Sequence, residues 1–427
     1  MSEVIATNET ILVVGGGISG LTAALEAAEC GKQVLLLEKS ATVGGRVGQL
    51  YKYFPKLCYP SCGLEIQLRR LKANRNVRLI TMAEVTSVSG DRGNYTVEVK
   101  LSPRYVNENC TACGDCAKVV ESEFDDAHNY GMMKRKGAYL PYNLAYPQRY
   151  VLDPALIGSD EATRAKDACK YGAIDLDMAE ESLSLNVGAV IWATGWRPYD
   201  AAKIQPYGYD RYPNVITNVE FERMLDPFGP TGGKIQRPSD GATPKSIAFI
   251  QCAGSRDKNH LLHCSRICCM ATLKQTTYVA EQLADECKST VYYIDIRAID
   301  RIDDFQQKVK QDPNVTFTKS KVANILSGGN GNMILHGVDT EGYNRYANEH
   351  DLVVLAVGME STVPAGIFPE GTVINEHGFI DADESNGAIF GAGCSSDALD
   401  VNRAAQNATA AALRAIQVVN QVAGTEV

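Results

Sequence analysis

The sequence predicts an α/β chain built from two Rossmann-like domains, one of them interrupted by a cysteine-bearing insertion. Three observations carry that expectation. Residues 10–39, TILVVGGGISGLTAALEAAECGKQVLLLEK, read as strand, glycine turn, helix and strand, which is one complete βαβ unit. Residues 245–300 repeat the pattern, with KSIAFIQCAGSRD as strand and turn, CSRICCMATLKQTTYVAEQLADE as helix and STVYYIDIRAID as the next strand. Between them, from 103 to 178, the chain is irregular and rich in cysteine, proline and tyrosine, as in KGAYLPYNLAYPQRYVLDP.

The remaining elements follow in order. NYTVEVKLS (94–102) alternates apolar and polar residues as a half-buried strand does, and LSLNVGAVIWATG (183–195) returns as strand and loop. HDLVVLAVG (350–358) closes the second βαβ domain much as GAVIWATG closes the first. GAIFGAGCSSDALDVNRAAQNATAAALRAIQVV supplies a short strand, a turn and a long Ala-rich helix that returns to the first domain. The expected organisation is a first domain from 1–102, 179–240 and 361–427, an insertion over 103–178, and a second domain over 241–360.

Composition narrows the function classes. The chain has 427 residues, 45% of them hydrophobic and 22% charged, which is globular and long enough for two or three cores. A net charge of -9 argues against nucleic-acid binding, which draws its affinity from Lys and Arg on phosphates. MSEVIATNET lacks the basic and apolar regions of a signal peptide, and no run approaches the roughly 18 apolar residues of a spanning helix. The expectation is a cytoplasmic chain without direct membrane insertion. Thirteen cysteines in a reducing compartment point to metal or redox chemistry before disulfides.

Gly15, Gly17 and Gly20 form G-x-G-x-x-G directly after an apolar strand and at the start of a helix. Glycine permits the tight turn and the close approach of a pyrophosphate, whose charge the helix N-terminus stabilises; Glu38, followed by Lys39, ends the next strand where ribose hydroxyls are bound. The alternative is a Rossmann-like turn with no ligand. Gly44, Gly45 and Arg46, then Ala193, Thr194 and Gly195, favour FAD over NAD because they resemble elements of two-dinucleotide-domain flavoproteins. That fold is of the thioredoxin/glutathione reductase type. Its C-terminal Gly-Asp contact is matched here by Gly393 and Cys394, with Asp397 three residues on as the carboxylate candidate.

Cys110, Cys113 and Cys116 have the C-x-x-C-x-x-C spacing of bacterial ferredoxins, but the expected fourth position is Val120. In two-cluster ferredoxins that fourth cysteine serves the other cluster. DACKYGAI resembles the end of a second run, so Cys169 completes a set for one [4Fe–4S] cluster in a ferredoxin-like insertion. Four thiolates also suit zinc. Cys252, Cys264, Cys268 and Cys269 form a second set around a strand, turn and helix, with Cys264 and Cys268 read as one helical face and the helix N-terminus facing an anionic cluster. The bland alternative is a group of buried small thiols. Cysteine where the second glycine turn belongs makes NAD an unexpected ligand.

Cys58 and Cys62, in FPKLCYPSCGLE, are candidate redox-active thiols; they equally fit protected thiols lining a flavin pocket or a ligand pair completed by a partner. Cys30 and Cys287 read as ordinary helix residues, His260 and His263 as surface or hydrogen-bonding loop residues, and Lys134–Lys136 as a solvated basic patch, with a docking surface for an acidic partner as the alternative.

Together VVGGGISGLTAALEAAECGKQVLLLEK, GGRVGQLYKYFP, CTACGDC and QCAGSRD…HCSRICCM resemble the A subunits of heterodisulfide reductase. KYFPKLCYPSCGLE and the short chain are most similar to the branch found in the quinone-interacting membrane-bound oxidoreductase (Qmo) complex. The resemblance implies an FAD and iron–sulfur protein with two [4Fe–4S] clusters, held at the cytoplasmic membrane through partners. These are adenylylsulfate reductase, a second flavoprotein and iron–sulfur subunit, plus a haem-bearing membrane subunit. It also implies electron relay between the menaquinone pool and adenylylsulfate reductase in sulfur metabolism. The alternatives are an NAD(P)H-dependent thiol–disulfide reductase using Cys58 and Cys62, and a scaffold with a vestigial flavin site.

Overall fold

The computed structural model describes residues 6–54, 56–298, 302–381 and 387–425. Its first unit begins with β1 (Ile11–Val14), α1 (Ile18–Glu29) and β2 (Val34–Glu38). β1 and β2 are apolar on both faces because both faces of the sheet are buried: α1 and the C-terminal helix pack on it, and Val85, Val97 and Leu185 of neighbouring antiparallel strands share its core. α1 starts at Gly17 and stops at Gly31, whose φ of +81° lets the amides of Gly31 and Lys32 bond back to Ala28 and Ala27. α2 (Pro60–Ala73) and β3 (Val77–Thr81) follow, and the sheet runs in the order Ile389–Gly391, Ala189–Trp192, β1, β2, β3, all parallel. The Ala-rich helix Val401–Thr425 packs on α1, where small side chains allow close approach.

A three-stranded antiparallel layer, β4 (Ala83–Asp91), β5 (Asn94–Leu101) and Glu181–Val187, brackets the insertion. The insertion enters after β5 and returns into Glu181–Val187, and these two strands pair directly. It therefore leaves the sheet without breaking it, and it has a core of its own that includes Val106, Val120, Leu152, Leu156 and Ile174.

The second unit has a parallel sheet ordered Val215–Thr217, Leu352–Val357, Ser246–Ala253, Lys288–Tyr293, Val315–Lys319. This divides the 179–240 segment differently from the sequence-based expectation. Glu181–Trp192 stays with the first unit, but Val215–Thr217 pairs with Val353–Leu355 of the second. Three residues carry no usable periodicity, so only the pairing partner reveals their side. The helix that follows, Asn218–Met224, starts with a reciprocal cap between Thr217 and Glu220.

His350 is 5% exposed under this sheet, with Nδ1 bonded to the Ser246 hydroxyl at 2.7 Å and Nε2 to the Tyr292 hydroxyl at 2.9 Å. Burial pulls its pKa down from 6.5 to about 4. The unfolded chain takes up this proton near pH 6.5 while the folded chain resists it, so the contribution is intact above pH 6.5 and shrinks as pH falls toward 4. Urea unfolding at pH 7 and pH 5 is expected to differ by about 2 kcal/mol from this group. In His350→Gln that component should vanish; an unchanged pH slope would assign it elsewhere.

Candidate functional site

Three loops meet at the carboxyl end of the first sheet. Gly15 has φ +108°, and a Cβ there would lie 2.4 Å from the Ala193 carbonyl oxygen; one on Gly20 would lie 1.7 Å from that of Gly15. Only glycine lets the helix and the Ala193–Gly195 turn close on this corner. The Gly44 amide donates to the Gly16 carbonyl at 2.8 Å, bringing in the third loop. The Glu38 carboxylate accepts from the Gly16 amide at 2.6 Å and the Ser40 amide at 2.8 Å.

These loops border a cavity of about 510 Å³, within the range of a cofactor site. Gly15, Gly17, Glu38, Gly45, Arg46, Ala193, Thr194 and Gly195 all line it. Gly20, Gly44 and Gly393 do not; they shape the loops behind it. Gly44 (φ +117°) faces the Tyr142 hydroxyl, and the Gly393 amide is held by Asn407 at 2.7 Å. Lys39 points away to Glu84 at 2.6 Å, and Asp397 pairs with Arg266 at 3.1 Å, so neither side chain lines the cavity. Cys394 does, as a buried thiol donating to the Leu399 carbonyl at 3.4 Å and pushed up to about 12 by burial.

Gly17 fits a bound dinucleotide in a specific way. Its φ of -74° suits any residue, and an added Cβ would meet nothing of the protein nearer than 3.8 Å. A larger side chain there fills the cradle at the helix N-terminus, not the core. Gly17→Val is expected to lower FAD affinity at least tenfold while moving the apoprotein melting temperature by only about a degree or two; unchanged FAD retention would place the dinucleotide elsewhere.

Sequence reasoning missed the insertion's share of this cavity. Asp126, His128, Arg135, Tyr139 and Tyr142 line it too. Arg135, from the basic run read as a solvated patch, is bonded to Asp153 at 2.7 Å and stacks on Tyr139 at 3.6 Å. Tyr142 donates to the Val43 carbonyl at 3.0 Å and stacks on His128. The tyrosine- and proline-rich composition of the segment was the available signal, without a direction attached to it.

Within the insertion, Cys110, Cys113, Cys116 and Cys169 border one small cavity. Burial and then the neighbouring Cys110 thiol push Cys116 up to about 11, and Cys169 accepts from the Ala173 amide at 3.3 Å. Among the described residues no three His, Cys, Asp or Glu side chains are gathered tightly enough for a single metal ion. The ligands of a [4Fe–4S] cluster each take a different iron, so they need to face a common volume and not a common atom. The donor set suits that group.

The second set sits at the carboxyl ends of Ser246–Ala253 and Leu352–Val357, the crevice where open α/β sheets bind ligands. Cys252 stands at φ +57° near the end of its strand, where the register with Leu352–Val357 shifts, a conformation a side chain rarely adopts. The helix starts at Cys268, so Cys264 lies in the preceding loop and the two do not share a helical face as the spacing suggested. The loop delivers Cys264 by a different route, its Sγ accepting from the Arg266 amide at 3.4 Å. Cys268 is buried with its thiol directed at the Val357 carbonyl at 3.5 Å, and burial followed by Cys252 raises its pKa. Burial also pushes Cys269 up to about 11. Arg256 places its charge beside the Cys252 thiol and bonds Asp295.

Cys58 precedes α2 and Cys62 lies in its first turn; neither lines the 510 Å³ cavity, and the Cys58 carbonyl accepts from the Tyr53 amide at 3.0 Å. His260 bonds the Tyr199 hydroxyl at 2.8 Å and His263 the Met359 carbonyl at 2.9 Å. No helix among the described residues is long and apolar enough to cross a membrane.

Comparison with known proteins agrees with this geometry. Residues 10–54 match a family of FAD dependent oxidoreductases. The chain is 36% identical, over 98% of its length and 55% of the relative's, to the A subunit of the ferredoxin/F(420)H(2)-dependent CoB-CoM heterodisulfide reductase of Methanosarcina acetivorans. It is 38% identical to the iron-sulfur A subunit of the CoB–CoM heterodisulfide reductase of Methanocaldococcus jannaschii, over 84% of this chain and 54% of the relative. To the A subunit of the H(2):CoB-CoM heterodisulfide,ferredoxin reductase of Methanothermobacter marburgensis it is 32% identical, over 96% and 64%. The chain thus spans between about half and two thirds of the length of these relatives. Among solved structures, thioredoxin reductases from T. acidophilum (TM-score 0.51, 14% identity, 96% of this chain and 98% of that one) and Lactococcus lactis (0.52, 12%, 97% and 99%) share the fold.

Proposed function

This chain is homologous over nearly its whole length to the A subunits of heterodisulfide reductase, and from that premise we propose that it is an FAD and iron–sulfur electron-transfer subunit of a larger complex. The observation that carries the reading is the pairing of a dinucleotide cavity with two separate sets of four cysteines, one in the insertion and one in the crevice of the second sheet. When bound, FAD exchanges electrons in pairs or singly and iron–sulfur clusters exchange them singly, which suits a converter between the two kinds of carrier.

The chain's own residues do the holding. Gly17 and the α1 N-terminus cradle the pyrophosphate, Glu38 takes ribose hydroxyls, and the Arg135 and Tyr142 side chains close the cavity from the insertion side. Cys110, Cys113, Cys116 and Cys169 hold one cluster; Cys252, Cys264, Cys268 and Cys269 hold the other. The amides of Ala173 and Arg266, donating to cysteine sulfurs, stabilise the charged clusters.

At the finer level, the complex is of the Qmo kind. Its partners are adenylylsulfate reductase, a second flavoprotein and iron–sulfur subunit, plus a haem-bearing membrane subunit that anchors it peripherally. Electrons pass between that reductase and the menaquinone pool in dissimilatory sulfur metabolism.

The test is flavin, iron, zinc and acid-labile sulfide per chain after anaerobic purification, with EPR of the reduced protein. About one FAD with about eight iron and eight sulfide supports the reading. Zinc or free thiols in place of iron would overturn it.

A further inference from the structure

We propose that a second cavity, adjoining the dinucleotide cavity at Tyr142 and His128, binds an uncharged planar aromatic molecule that carries a carbonyl acceptor. Its volume is about 550 Å³, as large as the dinucleotide cavity itself, and the two share Asp126, His128, Pro141 and Tyr142 as walls. The His128 and Tyr142 rings are parallel within 9° at 4.9 Å, so a stacked aromatic pair forms part of the lining common to both cavities.

Shape and polarity set the ligand class. Tyr51, Tyr59, Tyr142 and Phe228 provide aromatic walls, with Tyr51 and Tyr59 meeting edge to face at 5.4 Å. Phe228 is 73% exposed at the rim, an apolar ring that a flat ligand would cover. The Arg223 guanidinium is the cationic group among the lining residues. The Arg223 side chain is 2% exposed; its Nε donates to Asn129 at 2.8 Å and its Nη1 to Asp226 at 3.0 Å and the Gln49 carbonyl at 3.2 Å. Its Nη2 makes no hydrogen bond to a described residue and is not shut away from solvent, so it remains available to donate to a ligand in the cavity. A ligand carbonyl oxygen supplies the acceptor.

Charge disfavours an ion. Asp226 offsets Arg223, and the Asp126 carboxylate is occupied by the His128 amide at 2.9 Å and the Asn129 side chain at 2.7 Å. His128 is neutral, its pKa pulled down to about 4 by burial and then by Arg223. An anionic ligand would meet two carboxylates, and a cationic one the guanidinium. The inference does not depend on the iron–sulfur reading; it uses only the FAD-loaded state as its background.

Calorimetric titration of the FAD-loaded chain with coumarin, naphthalene and naphthalene-1-sulfonate tests it. Coumarin is flat, uncharged and carries one carbonyl. It is expected to bind once per chain, at least tenfold more tightly than either naphthalene probe, without displacing flavin. Phe228→Ala should weaken it several-fold and Leu144→Trp, which narrows the cavity, should abolish it, with flavin content unchanged in both. If Leu144→Trp loses flavin, the rim variant Phe228→Ala decides alone. Failure of coumarin to bind, preference for the sulfonate, displacement of FAD, or binding indifferent to Phe228→Ala would overturn the proposal.

Discussion

Lys274→Met made alone is expected to cost about 3–5 kcal/mol in urea unfolding, whereas Lys274→Met combined with Glu222→Gln should recover more than half of that loss. The two side chains are 4% and 3% exposed and lie 3.0 Å apart, one on each of two neighbouring helices of the second unit. The Glu222 carboxylate also accepts from the Tyr51 amide and from the Gln275 side chain, both at 2.9 Å. Removing Lys274 leaves that carboxylate buried without its counter-charge, and desolvation then dominates; neutralising both partners removes the imbalance. The pair does more than fill the core, because Lys274 also donates to the Lys52 carbonyl. Tyr51 and Lys52 come one residue after the Gly45–Gln49 turn that borders the dinucleotide cavity, and Cys268 begins the helix that carries Lys274. The single variant is therefore expected to release flavin and the double variant to keep it. Equal losses in the two would show that packing, not charge balance, holds this junction.

The first βαβ unit was legible because its determinants are local: strand, three glycines at fixed offsets, helix and a terminal glutamate lie within 30 residues. The cysteine sets were legible by spacing for the same reason. What the sequence concealed is contact at long range. Tyr142 and Arg135 belong to a segment without periodicity, and their place in the cavity depends on how the whole insertion folds on itself, with Arg135 over Tyr139, and back onto Val43. Val215–Thr217 is too short to announce its sheet. Cys264 and Cys268 are four apart, as on a helix, yet the helix begins only at Cys268, because the preceding loop is drawn toward the Met359 backbone by Ser265. Asp397 fits a familiar pattern at its position, but Arg266, 131 residues earlier, is its partner at 3.1 Å. In each case a pairing across the fold outweighed a local regularity.

Cys268→Ala and Cys110→Ala should each lower the iron content from about eight to about four per chain, and the two should remove different components of the reduced EPR spectrum. The sites share no element: Cys110 belongs to the insertion with its own core, and Cys268 opens a helix in the second sheet's crevice. Loss of one cluster therefore leaves the other's protein frame untouched. The competing view treats Cys268 and Cys269 as apolar packing, since both are buried. It makes the opposite prediction, because replacing a buried thiol by alanine costs only packing, of order 1 kcal/mol, and leaves iron at its original level. The geometry favours ligation over packing on one point. Cys252 holds an unfavourable backbone conformation at φ +57° near the end of its strand, close to Cys264, Cys268 and Cys269, and a glycine would adopt it without strain. A side chain kept at that cost needs a task, and Cys252→Gly separates the two: it relieves the backbone, and on the ligation reading it still loses about four iron.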